Sequence, residues 1–137
     1  MINRLMYAEK ISKIAIIAHD GKKAEMVAFL KDHLDELTGI QIIATGTTGT
    51  HVAQAGLQVD AKLSGPMGGD AQIAAEVAQK DVHAVIFFRD PLGKHPHEPD
   101  VQMLLRLCDL YNVPLATNPA TAHLLLKGMF TETHPKG

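Results

Sequence analysis

The sequence holds one cysteine, Cys108, in 137 residues, so it can form no internal disulfide and carries no mark of an oxidising compartment. It also lacks an excess of either charge. Thirteen lysines and arginines against 15 aspartates and glutamates leave a formal charge of −2, which offers no basic surface for nucleic acid or an anionic membrane. No apolar run approaches the ~20 residues of a membrane-spanning helix. Residues 1–10 include an acid and lack the apolar centre of a signal peptide. A soluble, cytoplasmic protein is expected. Linkers, low-complexity tracts and repeats of fixed period are missing. So are Gly-x-Gly-x-x-Gly and the P-loop, which leaves a dinucleotide or a nucleoside triphosphate without a motif.

What remains is an ordinary globular composition, 46% hydrophobic and 20% charged, in a chain of single-domain size with one core. The domain is taken as 1–137, with a lead over 1–10 and an irregular tail over 127–137. Apolar runs at 11–18, 40–44, 82–88 and 113–116, with a weaker one at 58–63, read as buried strands. Between them the apolar residues fall at helical spacing: Met26, Val27, Leu30 and Leu34; then 50–57; then Ile73, Ala74, Val77 and Ala78; then 100–111; then 120–126. Asp100 and Asn118 are placed to cap the last two helices. Five strands alternating with five helices predict an α/β fold: a single-domain, doubly wound, five-stranded parallel sheet, Rossmann-like or flavodoxin-like. In such sheets ligands bind beyond the carboxyl ends of the strands.

Every polar cluster lies at such an end. Thr45-Gly46-Thr47-Thr48-Gly49 offers hydroxyls and unencumbered amides at a helix start, a setting that suits phosphate and equally a plain threonine-capped turn. Ser64-Gly65-Pro66-Met67-Gly68-Gly69-Asp70 forces an unusual backbone path and sets Asp70 near the next helix start, as a cap or as a reacting group. His19-Asp20, Asp90 and His95-Pro96-His97-Glu98-Pro99-Asp100 bring titratable groups to the same edge. Crowded carboxylates divide acid and base roles among themselves, which suits proton abstraction beside a carbonyl. His95 and His97 give a weak zinc signal, and the prolines explain that loop without metal. Met103, Leu104, Leu107 and Leu110 read as core, and Cys108 as a packed residue with no adjacent base.

Together these segments, with Phe88-Arg89-Asp90-Pro91-Leu92, Pro96-His97-Glu98-Pro99-Asp100-Val101, Leu104-Leu105-Arg106-Leu107 and Pro114-Leu115-Ala116-Thr117-Asn118, resemble the bacterial methylglyoxal synthase family in order and spacing, from about Lys13 to Leu126. The resemblance implies a homohexamer that turns dihydroxyacetone phosphate into methylglyoxal and inorganic phosphate with no metal or organic cofactor. Asp70 matches the catalytic base. His19, Lys23, Thr45, Gly46, Thr47, Thr48, Ser64, Gly65 and His97 match the substrate-binding positions, His97 also steadying charge on the enediolate. Asp20, Asp90 and Asp100 match the supporting acids, and phosphate is implied as product and inhibitor. Longer members carry a tail arginine near the site. Here no arginine follows Arg106, and Lys127 or Lys136 is left to supply that charge.

Two rivals share the fold or the substrate. A regulatory module like that of carbamoyl phosphate synthetase needs the threonine loop but not Asp70 with His97 and Asp100. An isomerase of the same triose phosphate differs in product.

Overall fold

The computed structural model describes residues 11–93 and 98–133. Strands β1 (Lys13–Ala18), β2 (Gln41–Thr45), β3 (Asp60–Lys62), β4 (Ala84–Phe88) and β5 (Leu115–Ala116) form one sheet in the order β3-β2-β1-β4-β5, every pairing parallel. This is the Rossmann order rather than the flavodoxin order, and its winding reverses between β1 and β4.

Buried parallel strands tolerate apolar side chains on both faces, and the isoleucine-rich β1 fills both. Ile14, Ile16 and Ala18 pack with α1 (Lys23–Asp32), α2 (Leu34–Leu37), α3 (Gly46–Gln54) and α6 (Pro119–Thr133). Ala15 and Ile17 pack with α4 (Gly69–Ala78) and α5 (Glu98–Leu110). The expected single core is therefore two cores, divided by the sheet.

Several boundaries differ from expectation for local reasons. The first helix breaks at His33, whose ring Nδ1 donates to the Phe29 carbonyl at 2.8 Å, and its last apolar residue, Leu34, opens the short α2. The threonine turn is already helix: α3 starts at Gly46 rather than Thr50. Helix α5 starts at Glu98, with Pro99 in the first turn where a missing amide costs nothing. Asp100 thus lies inside the first turn and is not the cap. Asn118 is a cap, its Oδ1 accepting the Thr121 N–H at 2.9 Å with Pro119 opening the helix. The stretch from Lys127, expected to be irregular, stays helical to Thr133.

On α5 the inward stripe is Val101, Leu104 and Cys108. Met103 and Leu110, expected in the core, are turned outward with Tyr111, because neither shares the angular position set by those three. Burial and then the neighbouring Asp109 push the Cys108 thiol up to about 12, which fits a packed residue rather than a nucleophile. Among the described residues no helix is long and apolar enough to cross a membrane.

One ion network joins the edge strand to the α4 side. Glu76 accepts Lys13 at 2.7 Å and Lys62 at 3.1 Å, and Lys62 also reaches Asp60 at 3.4 Å. Burial alone would raise the Glu76 carboxyl, but hydrogen bonds from Lys13 and Lys62 outweigh it and hold it below 4.5. A lowered folded value stabilises the protein above 4.5, and that contribution is lost as pH falls through the folded value. Glu76→Gln is expected to cost about 1 kcal/mol in urea unfolding at neutral pH. The gap from the parent should close as the pH is lowered below 4.

Candidate active site at the carboxyl edge

Strand alternation decides which side chains meet above the sheet. Ile17 and Phe87 face α4 and α5, and Thr45 takes the same side, its methyl group against Gly69 of α4. One step beyond the last in-register pair, Ala18 with Phe88, come His19 and Arg89. The His19 N–H donates to the Phe88 carbonyl at 3.1 Å. The next rung of a parallel ladder would run from the Asp90 amide to a main-chain carbonyl. Here that amide donates to His19 Nδ1 at 3.0 Å. A neutral His19 ring thereby keeps its proton on Nε2. The ring is buried, edge-on to Phe87 at 5.0 Å between centroids.

The α1/α3 side supplies the cation. Lys23 Nζ donates to Asp20 Oδ1 at 2.6 Å and to Thr47 Oγ1, tying the first turns of α1 and α3 together. The Thr48 hydroxyl is committed to the strand end: it accepts the Ala18 N–H at 3.3 Å and donates to the Ala18 carbonyl at 3.4 Å. Thr48 therefore offers a ligand its amide rather than its hydroxyl. The Thr47 and Thr48 amides belong to the helix turn whose donors have no intrahelical acceptor, at the positive end of the dipole.

The two glycine-rich turns interlock through backbone. The Gly46 N–H donates to the Leu63 carbonyl at 3.2 Å, and with φ at +22° a Cβ there would lie 2.7 Å from the Ser64 Cα. The Gly69 N–H donates to the Ser64 carbonyl at 2.8 Å, and a Cβ there would lie 1.8 Å from the Leu63 carbonyl oxygen. Ser64 and Gly65 are thus pressed against the start of α3. Gly68, at φ +98°, is the N-cap of α4, so Asp70 is not the cap that its position allowed. Asp70 lies in the first turn on the same stripe as Ile73, Ala74 and Val77 and is 0% exposed.

The other acids differ in burial and contacts. Asp90 is a strut: Oδ1 accepts the Leu92 N–H at 3.0 Å, and Oδ2 lies where a Gly21 side chain would have to go, 2.5 Å from a Cβ built there. Asp20 is 98% exposed at its side chain, gripping Lys23. Asp100 is half-buried in the first turn of α5. His97, with His95, lies outside the described residues. Among the described residues no cluster of three or more His, Cys, Asp or Glu is arranged to hold a metal. A groove of about 640 Å³, lined by Leu37, Gly39, Leu57 and Val59, opens at the opposite, amino edge of the sheet. It is remote from all of these groups.

Residues 25–117 match the MGS-like domain family. A methylglyoxal synthase of Borrelia garinii subsp. bavariensis is 56% identical over 117 residues, covering 85% of this chain and 93% of the relative. One of Geobacillus thermodenitrificans is 55% identical over 118 residues, covering 85% and 82%. The chain belongs to the methylglyoxal synthase family. The crystal structure of methylglyoxal synthase from Elizabethkingia anophelis NUHP1 superposes with a TM-score of 0.80 at 41% identity, over 87% of this chain and 79% of that one.

Within this methylglyoxal synthase family fold, the structure brings together His19, Lys23, Thr45, Gly46, Thr47, Thr48, Ser64, Gly65 and Asp70 at one edge. Lys127 is not with them. It pairs with Glu36 of α2 at 3.6 Å, and α2 leads directly into the amino end of β2. Lys136 lies outside the described residues. Arg89, which sequence reasoning does not single out, alternates with Phe87 and stands one register step on, beside His19. Two outcomes test this geometry. Gly69→Ala should cost about 2–4 kcal/mol in chemical denaturation, because the clash is with backbone that cannot step aside. In ¹⁵N-edited NMR spectra at neutral pH, the His19 ring should show a protonated Nε2 and a bare Nδ1.

Proposed function

We propose that this chain converts dihydroxyacetone phosphate to methylglyoxal and inorganic phosphate, as a carbon–oxygen lyase that needs no metal or organic cofactor. The observation that carries the reading is Asp70: a fully buried carboxylate in the first turn of α4, beside two amide-rich turns suited to phosphate. Relatives that are methylglyoxal synthases along nearly their whole length favour an enzyme over a regulatory module.

Asp70 takes a proton from the hydroxymethyl carbon, giving an enediolate. His19, through Nε2–H, and His97 stabilise the charge gathering on its oxygens. The enediolate electrons then form a new C=C bond as the C–O bond to phosphate breaks. Phosphate leaves with that bonding pair as the enediolate oxyanion closes to a carbonyl, and the enol left behind gains a proton at its methylene carbon and loses its hydroxyl proton to become methylglyoxal. The breaking bond must stand out of the enediolate plane to overlap its π system, and an isomerase must hold it in that plane. Lys23, the Thr47 and Thr48 amides, Thr45, Gly46, Ser64 and Gly65 bind the phosphate. Asp20 is then the carboxylate that phosphate displaces from Lys23, Asp90 positions His19 through its amide, and Asp100 supports the acidic side. Inorganic phosphate, being product and ligand, inhibits by occupying the same donors.

We further propose that the chain works in the cytoplasm as a homo-oligomer, a hexamer. The outward Met103, Leu110 and Tyr111 on and just after α5 support self-association.

Asp70→Asn should fold, bind phosphate at least as well as the parent, and lose about 10³-fold or more in turnover of dihydroxyacetone phosphate. Assays of methylglyoxal and phosphate, with and without chelator, check this. Retained turnover would move the base elsewhere, and an isomerised triose phosphate as product would replace the lyase with an isomerase.

A further inference from the structure

Among the described residues the Arg89 side chain has one partner, Glu98, yet its backbone is fixed on both sides by one residue of the site. The carbonyl of Phe88 accepts the His19 amide at 3.1 Å, and the amide of Asp90 donates to the His19 ring at 3.0 Å. Extending the register of Ala18 with Phe88 by one step sets Arg89 directly alongside His19. Adjacent strands lie about 4.8 Å apart and in-register residues share a face, so the Arg89 side chain rises on the α4/α5 side with His19 and Thr45. Its contact with the first turn of α5 agrees with that direction: Nη2 lies 3.5 Å from Glu98 Oε1.

That contact is a poor ion pair. It is single-pronged and at the limit of hydrogen-bond distance, with side chains 35% and 41% exposed, and the same Glu98 oxygen accepts Gln102 Nε2 at 2.8 Å. A guanidinium presents a planar fork suited to two oxygens of a phosphate, and water screens a half-exposed carboxylate. Lys23 supplies positive charge from the α1/α3 side of the crevice, and Arg89 stands across it at the rim of the other side.

We propose that Arg89 is an anion-binding residue of this site, whose guanidinium exchanges Glu98 for the phosphate of an incoming phosphorylated substrate. The assignment rests on the proposed function for the identity of that substrate, but not for the binding of phosphate itself. Arg89 acts on capture rather than on the proton transfer, so it sets KM and leaves kcat nearly unchanged. Glu98 competes with the ligand, so removing its charge should tighten binding.

The experiment compares the parent with Arg89→Gln, Arg89→Lys and Glu98→Gln. The readouts are kcat and KM for dihydroxyacetone phosphate and, separately, calorimetric binding of inorganic phosphate. Arg89→Gln is expected to raise KM and the phosphate dissociation constant together by about tenfold, with kcat within about twofold. Arg89→Lys should recover part of the loss, and Glu98→Gln should shift both constants the other way. Constants unchanged in Arg89→Gln, or a fall in kcat alone, would overturn the assignment. If Arg89→Gln does not fold, Glu98→Gln decides by the direction of its shift. Arg89-dependent phosphate binding without turnover would leave the assignment standing and defeat the lyase reading instead.

Discussion

Strand β1 is hydrogen-bonded on both sides, to β2 in one direction and to β4 in the other, and the chain reverses its winding between those partners. Helices that follow β1 and β2 lie on one face, and those that follow β3 and β4 lie on the other. Their first turns therefore part above the β1–β4 seam and leave a crevice there. The seam is finished by a side chain, because the His19 ring accepts the amide that a carbonyl would otherwise take. One interaction thus ends the ladder, orients an imidazole and assigns its proton.

Beside that seam the structure uses the absence of side chains as a construction element. Gly46 against Ser64 and Gly69 against Leu63 allow the turns after β2 and β3 to touch backbone to backbone. This contact sets the start of α4 beside the end of β2 and carries Asp70 inward. It also draws first-turn donors of α3 close to Ser64 and Gly65, so a group small enough to sit between the turns meets amides from both. Burial of a carboxylate beside such donors is a local expense, and the two apolar cores below carry it.

Much of this was legible in the chain itself. Apolar runs located all five strands, and the glycine-rich segments between polar residues marked the edge where Asp70 and the threonines gather. What composition withholds is angle and register. Met103 and Leu110 are as hydrophobic as their neighbours, and only the position of Val101, Leu104 and Cys108 around the helix shows them to be outward. Thr48 looked like a ligand hydroxyl until Ala18 claimed it across a distance of 30 residues in sequence. Lys127 and Arg89 reverse their apparent merits for the same reason: charge is visible in a sequence, but the edge of the sheet that carries it is not. Asp70, Asp90 and Asp20 differ in what they touch, as a buried group, a strut and a counter-ion, through contacts that no motif encodes.

The lone cysteine has a consequence for durability. A 1,2-dicarbonyl compound is an electrophile, and a side-chain thiolate adds to it readily. An enzyme releasing such a product would be its nearest target at every turnover. Cys108 faces the core from the inner side of α5 and is held as the neutral thiol by its surroundings, so the softest nucleophile in the chain is withheld from whatever the crevice discharges. The same core that fixes α5 over the sheet thereby shields that thiol from solvent.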